Sequence, residues 1–309
     1  MTRPHGFLDS DRARYVDPSS EGLACTGSKS ACRFLIDEGA AHAPWGEPPD
    51  ALAELRVLHL LPPARTLKKP ALPDYLPQAT ALRRLAMPAP LVAALDDPAR
   101  LPPSLSTLQL DFDPALLERG PKPLRWPQAS LPDLRGLYFV GPSQSTTRWI
   151  DLGLQPAQVP GLEFLSCELD PAGQVRSAVA EFASLRHVEL ADIANHSDIF
   201  DDLPKHIEAL SLRTSKLKFS LAGLVRLTRI RGLRLNAIRT EIDCGMLASL
   251  PALEQLVVLN SKKLTKLDAL LEAPELTHLS VLHCGRPFKK ELEARFEAKG
   301  FEVLDIAFS

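Results

Sequence analysis

Large rings are scarce in this chain: aromatic residues make up 6% of it, with three tryptophans and three tyrosines. Leucine is abundant instead, and 45% of all residues are hydrophobic. A core of leucines with few rings suits a thin, repetitive structure better than a single globule. No segment approaches the ~18 apolar residues of a membrane helix, and no apolar stretch of signal-peptide length follows Met1–Leu8. Charge of one sign is missing too: 36 basic residues face 38 acidic ones, a net charge of −2. Nothing in that balance draws the chain toward nucleic acid or a membrane surface. The five cysteines, Cys25, Cys32, Cys167, Cys244 and Cys284, are odd in number and scattered. Such a set reads as reduced thiols, and a cytoplasmic protein is expected.

What is present is one recurring phrase: aliphatic, two variable residues, aliphatic, one variable, aliphatic. It reads LRVLHL from Leu55, LRRLAM from Leu82, LSTLQL from Leu105, LRGLYF from Leu134 and LEFLSC from Leu162. It continues as LRHVEL from Leu185, IEALSL from Ile207, IRGLRL from Ile230, LEQLVV from Leu253, LTHLSV from Leu276 and FEVLDI from Phe301. The intervals are 27, 23, 29, 28, 23, 22, 23, 23, 23 and 25 residues. Positions four and six of the phrase share one face of a strand and point into a core, and position one enters that core at the preceding bend. One such unit cannot bury these residues alone, whereas stacked units share a continuous core.

This pattern resembles the leucine-rich-repeat family, whose unit is 20–29 residues with LxxLxL on a strand. The resemblance covers roughly residues 50–309. It implies an α/β solenoid: a curved parallel sheet of about eleven units with N- and C-terminal caps. Residues 1–49 are expected to be a loose tail and an N-terminal cap, and residues 50–309 the solenoid with its C-terminal cap. That last cap is the charged stretch Lys289–Gly300, with glycine as its stop. The family often places asparagine at the ninth position. Here Pro63, Pro90, Asp113, Pro142, Asp170, Ile193, Ser215, Ile238, Ser261, Cys284 and Ser309 stand there, and no asparagine ladder exists. Regular curvature is therefore not expected in the first half.

Candidate chemistry is thin. The stretch Gly22–Ser30, GLACTGSKS, approaches a phosphate loop, but Ser28 separates the second glycine from Lys29. An enzyme using this segment on nucleotides would lose activity on Lys29→Ala. Cys25 and Cys32, with His42 later, lack the tight pairing of a zinc site, and His278, His283 and Cys284 need not converge. Cys167, at position six, is expected in the core. No GxSxG elbow or HExxH helix is present, so no catalytic residue, cofactor or metal is expected.

The outward positions of the strands remain. Position three includes Gly136, Phe164, His187, Ala209, Gly232 and Gln255; position five includes Tyr138, Glu189, Ser211, Arg234 and Val257. Tyr138, Phe164, His187, Glu189, Arg213, Arg234 and Asn236 are expected to bind a partner protein on the concave sheet face. Tyrosine and arginine carry energy at interfaces, and an exposed phenylalanine there lacks a folding reason unless something covers it. On that reading, Tyr138→Ala with Phe164→Ala weakens binding and spares the melting temperature. The long stretches Asp111–Gln128 and Gly141–Pro160, holding Trp126 and Trp149, are expected at the binding rim. Nine basic residues between Lys205 and Arg239, beside an acidic band at residues 189–202, form a second candidate feature. The expected function is non-catalytic protein recognition, as an immunity or inhibitor protein or an adaptor. The alternative is an exported effector that binds a host protein. The proline- and arginine-rich composition points to a bacterial source.

Overall fold

The computed structural model describes residues 7–15, 22–141, 152–169, 178–285 and 290–307. The chain divides into two compact units, one of residues 13–167 and one of residues 1–12 with 168–309.

In the unit of residues 13–167, strands β1 (Leu23–Gly27), β2 (Ala41–Ala43), β3 (Val57–Leu61), β4 (Arg84–Pro88), β5 (Thr107–Asp111), β6 (Gly136–Val140) and β7 (Phe164–Glu168) lie in the order β2-β1-β3-β4-β5-β6-β7. All are parallel, and the repeat phrases align position by position: Leu58 faces Leu85, Leu85 faces Leu108, and Leu108 faces Leu137. Positions one, four and six form the core, with Leu82, Leu85 and Leu108 wholly buried. β1 and β2 lie within the stretch expected as a cap, and they extend the sheet beyond the first repeat strand. The chain runs from β1 back to β2, against the direction of every later step. A right-handed crossover taken in that reverse direction must pass over the other face of the sheet. Helix α2 (Lys29–Asp37) accordingly packs on the outward positions, where Leu35 and Ile36 meet Cys25, Cys32 and Leu61.

In the other unit, β8 (His187–Ala194), β9 (Ala209–Ser215), β10 (Gly232–Asn236), β12 (Gln255–Leu259), β14 (His278–Leu282) and β15 (Val303–Ala307) are parallel neighbours in that order. The short strands β11 (Ile242–Asp243) and β13 (Leu264–Thr265) pair separately. Leu210, Leu233, Leu256 and Leu279, all at position four, are fully buried. The ninth position explains how units stack without asparagine. Ser215 Oγ accepts from Arg239 N–H at 2.9 Å, Ser261 Oγ accepts from Ile238 N–H at 2.9 Å, and Cys284 Sγ donates to Leu282 O at 3.3 Å. Small polar side chains thus satisfy turn backbone that would otherwise be buried unpaired. The eighth position is left-handed in each of these units: Asp192, Thr214, Ala237, Asn260 and His283 have φ between 52° and 62°. Helix α3 (Lys290–Lys299) forms where the C-terminal cap is expected and stops at Gly300, φ +79°. Its Phe296 is buried against Phe301, with ring centroids 5.8 Å apart. Each unit is leucine-rich-repeat solenoid, as the repeat phrase implies.

Candidate functional site

Helix α1 (Phe7–Ala13) lies on the outward face of the unit containing residues 168–309. It falls in the stretch expected as a loose tail, and it buries Leu8 and Asp11 at helical spacing, with Arg12 half-buried beside them. Leu8 is 1% exposed and packs with Ala209 and Val257. Its side chain sits over Gly232, where a Cβ would stand 2.6 Å from Leu8 Cγ. Gln255 Oε1 accepts from the Leu8 N–H at 2.6 Å. The Phe7 ring lies under the Arg231 guanidinium, 4.1 Å from centroid to Cζ, a cation–π contact.

Charge complementarity completes the contact. Asp11 Oδ2 is 3.0 Å from His187 Nδ1, with both side chains buried, and His187 Nε2 lies 3.7 Å from Glu189 Oε1. Arg12 Nε donates to Glu189 Oε1 at 2.8 Å, and Arg234 Nη2 donates to Asp9 Oδ1 at 2.7 Å. Within the unit of residues 13–167, Tyr15 covers the corresponding outward position. It stacks on Phe164 at 5.1 Å and 13°, and its hydroxyl donates to Glu163 Oε2 at 2.8 Å. Tyr138 packs against this pair.

The structure thus places the expected partner residues in three situations. His187, Glu189 and Arg234 touch α1; Phe164 and Tyr138 touch Tyr15; Arg213 is exposed, and Asn236 accepts a hydrogen bond from Asn260. Phe164 and His187 are fully buried rather than exposed. Their expected exposure fails because residues 7–15 lie over them, so Phe164→Ala is not silent for folding. The residues missed are Phe7, Leu8, Asp9, Asp11, Arg12 and Tyr15. Only Leu8 of the buried helical stripe is apolar, so hydrophobic periodicity does not reveal it. The usable signal was glycine at outward strand positions, Gly136 and Gly232, where something approaches closely. A Cβ on Gly136 would stand 3.2 Å from Tyr15 Cβ.

The other candidates resolve as structure. Gly22–Ser30 forms β1 and the start of α2: an apolar strand follows Gly22, and Ser28 caps the helix by accepting from Ala31 N–H at 3.2 Å. Cys25 and Cys32 are buried beside each other, and burial pushes the Cys25 thiol up to about 12, with Cys32 adding to it. Such a thiol is inert at neutral pH. Cys167 is buried as expected. Among the described residues no cluster of His, Cys, Asp and Glu is arranged to hold a metal, and no helix is long and apolar enough to cross a membrane. Trp126 is buried rather than at a rim; Trp149 lies outside the described residues. Several arginines are ion-paired, one with the acidic band and the others with acids outside it. Arg186 and Arg231 make two-pronged contacts with Glu208 and Glu254, Arg229 lies 3.8 Å from Glu208, and Arg226 pairs with Asp201.

No protein-family model matches the sequence, and no curated protein is significantly similar to it. Similar solved structures include an internalin (inlF) of Listeria monocytogenes, 13% identical, covering 81% of this chain and 68% of that one, TM-score 0.42. An internalin C2 (inlC2) of the same organism is 15% identical, covering 75% and 82%, TM-score 0.37. TLR13 in complex with ssRNA13 is 15% identical, covering 80% and 42%, TM-score 0.35. The repeat architecture itself rests on this chain's own strand register.

Proposed function

We propose that the chain is a non-catalytic protein-recognition module whose outward strand positions hold a polypeptide partner. One observation carries the reading: His187, Glu189, Arg234, Gln255 and Gly232 already hold a peptide segment, α1, through a filled notch and matched charges. Arginine pairs and anchors filling a pocket are what binding faces use. The core on the opposite side of the sheet is complete in positions one, four and six, so these outward groups are not needed to build it. Tyr138, Phe164, His187, Glu189, Arg213, Arg234 and Asn236 are the proposed contacts. Within this class the reading is an immunity or inhibitor protein or an adaptor, which holds one partner on a preformed face, in the cytoplasm of a bacterium.

The test is capture from a lysate of the source organism with the full chain and with Arg213→Glu/Asn236→Ala. Neither residue touches α1 through a contact described above, so the fold and α1 stay in place. A stoichiometric protein held by the wild type and lost by the variant, at an unchanged melting temperature, is expected. The same proteins on both chains would remove the outward positions as the binding face.

A further inference from the structure

We infer that residues 7–12 are a built-in competitor for the partner face, and that the partner presents a short helix of the same chemistry. That chemistry is an aromatic and an aliphatic residue at the leading end, acids at the third and fifth places, and an arginine at the sixth. The inference rests on the recognition reading above and adds the partner's form and the regulation of the face.

Three features separate α1 from a structural element. First, it contributes nothing to the repeat core: Leu210, Leu233 and Leu256 are wholly buried from the other side of the sheet. Second, α1 has 7 residues. Isolated helices shorter than about 12–15 residues are marginal in water, so this one is helical because the face holds it, and leaving means unfolding. Third, the face is shaped for an occupant. Gly232 stands at a strand position where a β-branched residue packs better, and its missing side chain is the notch that Leu8 fills. Ala209 and Val257 wall that notch, Gln255 offers an acceptor to the first helical turn, and His187, Glu189 and Arg234 set the charge pattern. A segment covalently joined to its site competes at an effective concentration of order millimolar. A partner helix must exceed that, and its apparent affinity falls by the fraction of chains whose face is closed.

The experiment titrates a fluorescent peptide of residues 1–15, up to about 1 mM, against three full-length chains and reads anisotropy. Leu8→Asp releases the tethered helix and leaves the face intact, so it binds the peptide at least tenfold tighter than the wild type. Gly232→Val fills the notch without touching the core, so it binds no peptide although its own helix is also released. Equal binding by wild type and Leu8→Asp, both melting cooperatively, overturns the inference. Undiminished binding by Gly232→Val overturns it as well. Should Leu8→Asp fail to fold, Asp9→Lys/Arg12→Glu reverses two partly exposed charges and is read in the same way. Light scattering is expected to show a monomer. A dimer that dissociates on Leu8→Asp would assign the contacts to a second copy and overturn the tethered reading. Capture with Leu8→Asp separates the two proposals. If the peptide binds but no protein is captured, self-docking stands and partner recognition falls; if a protein is captured without peptide binding, the reverse holds.

Discussion

The two units use the same strand phrase at different spacing, and they solve the joining of neighbours differently. Between Leu185 and Leu276 the phrase returns every 22 or 23 residues. That constancy brings the same side chains into line unit after unit. Arg186–Glu208 and Arg231–Glu254 meet at position two, Ser215 and Ser261 bond the turn backbone at position nine, and position eight is left-handed throughout. Between Leu55 and Leu162 the intervals reach 29 residues, and Pro62, Ala89, Phe112 and Gly141 stand at the eighth position. None of these is left-handed. There the connections carry the irregularity in their own backbone, as the short helical turns at Ala89–Ala94 and Pro98–Arg100 show. Regular spacing repeats the same side-chain stitches at the same positions, whereas the irregular unit varies them, with Arg135–Glu163 at position two in one repeat and Ser106 bonding the Arg83 carbonyl in another.

The largest expected effect tests whether the outward face carries stability in the irregular unit. Phe164 is fully buried under Tyr15. Phe164→Ala should cost about 3 kcal/mol, and Tyr15→Ala less. The double variant should cost less than the sum, because the two rings share one contact. Chemical denaturation of the four chains measures this. Additive losses would show that the stacked pair is not a unit.

How much of this was legible beforehand depends on which interaction carries the information. Leu85, Leu108 and Leu233 announce themselves because burial by stacking leaves a period in the chain. The seven outward residues were legible as a face, since alternation fixes which way a strand side chain points. What covers them was not. Asp11 meets His187 across 176 positions and Leu8 meets Gln255 across 247, and charge pairing leaves no periodic trace. The placement of α2 follows from handedness, but only once β1 is known to pair with both β2 and β3.

Next in size is a difference in acid response. In the irregular unit, burial holds the His59 imidazole down to about 4 from 6.5, and the Arg84 charge adds to it. The folded unit then binds fewer protons than the unfolded chain between those values. Its stability is full above pH 6.5 and falls as the pH drops toward 4, by about 2 kcal/mol for a ring that keeps some exposure. His59→Gln should flatten that slope in thermal melts between pH 7 and 4. In the regular unit the corresponding group is Glu208, lowered below its usual 4.5 chiefly by the hydrogen bond from Arg186, with Arg229 and Arg231 assisting. Its contribution is whole above pH 4.5 and is lost only below it. Arg186→Ala should cost about 1 kcal/mol at neutral pH and progressively less below pH 4. If both units lose stability over one pH window, local groups do not set the acid response.

The smallest effect probes the left-handed turns that mark the regular unit. Thr214 holds φ 62° with a β-branched side chain, whereas Asn260 holds φ 52° at the equivalent place in a later repeat. Asparagine tolerates this region because its short side chain bonds locally, while a branched Cβ crowds the following carbonyl. Thr214→Asn should therefore stabilise the unit by about 0.5–1 kcal/mol, and Asn260→Thr should destabilise it by a similar amount. Denaturation midpoints at unchanged slope measure both. The reciprocal pair matters more than either variant: opposite and equal shifts mean that the turn conformation is imposed by the stacked strands, whichever residue stands there. A gain at position 214 with no loss at position 260 would mean instead that each turn relaxes to suit its own residue, and the regularity of the unit would then belong to its strands alone.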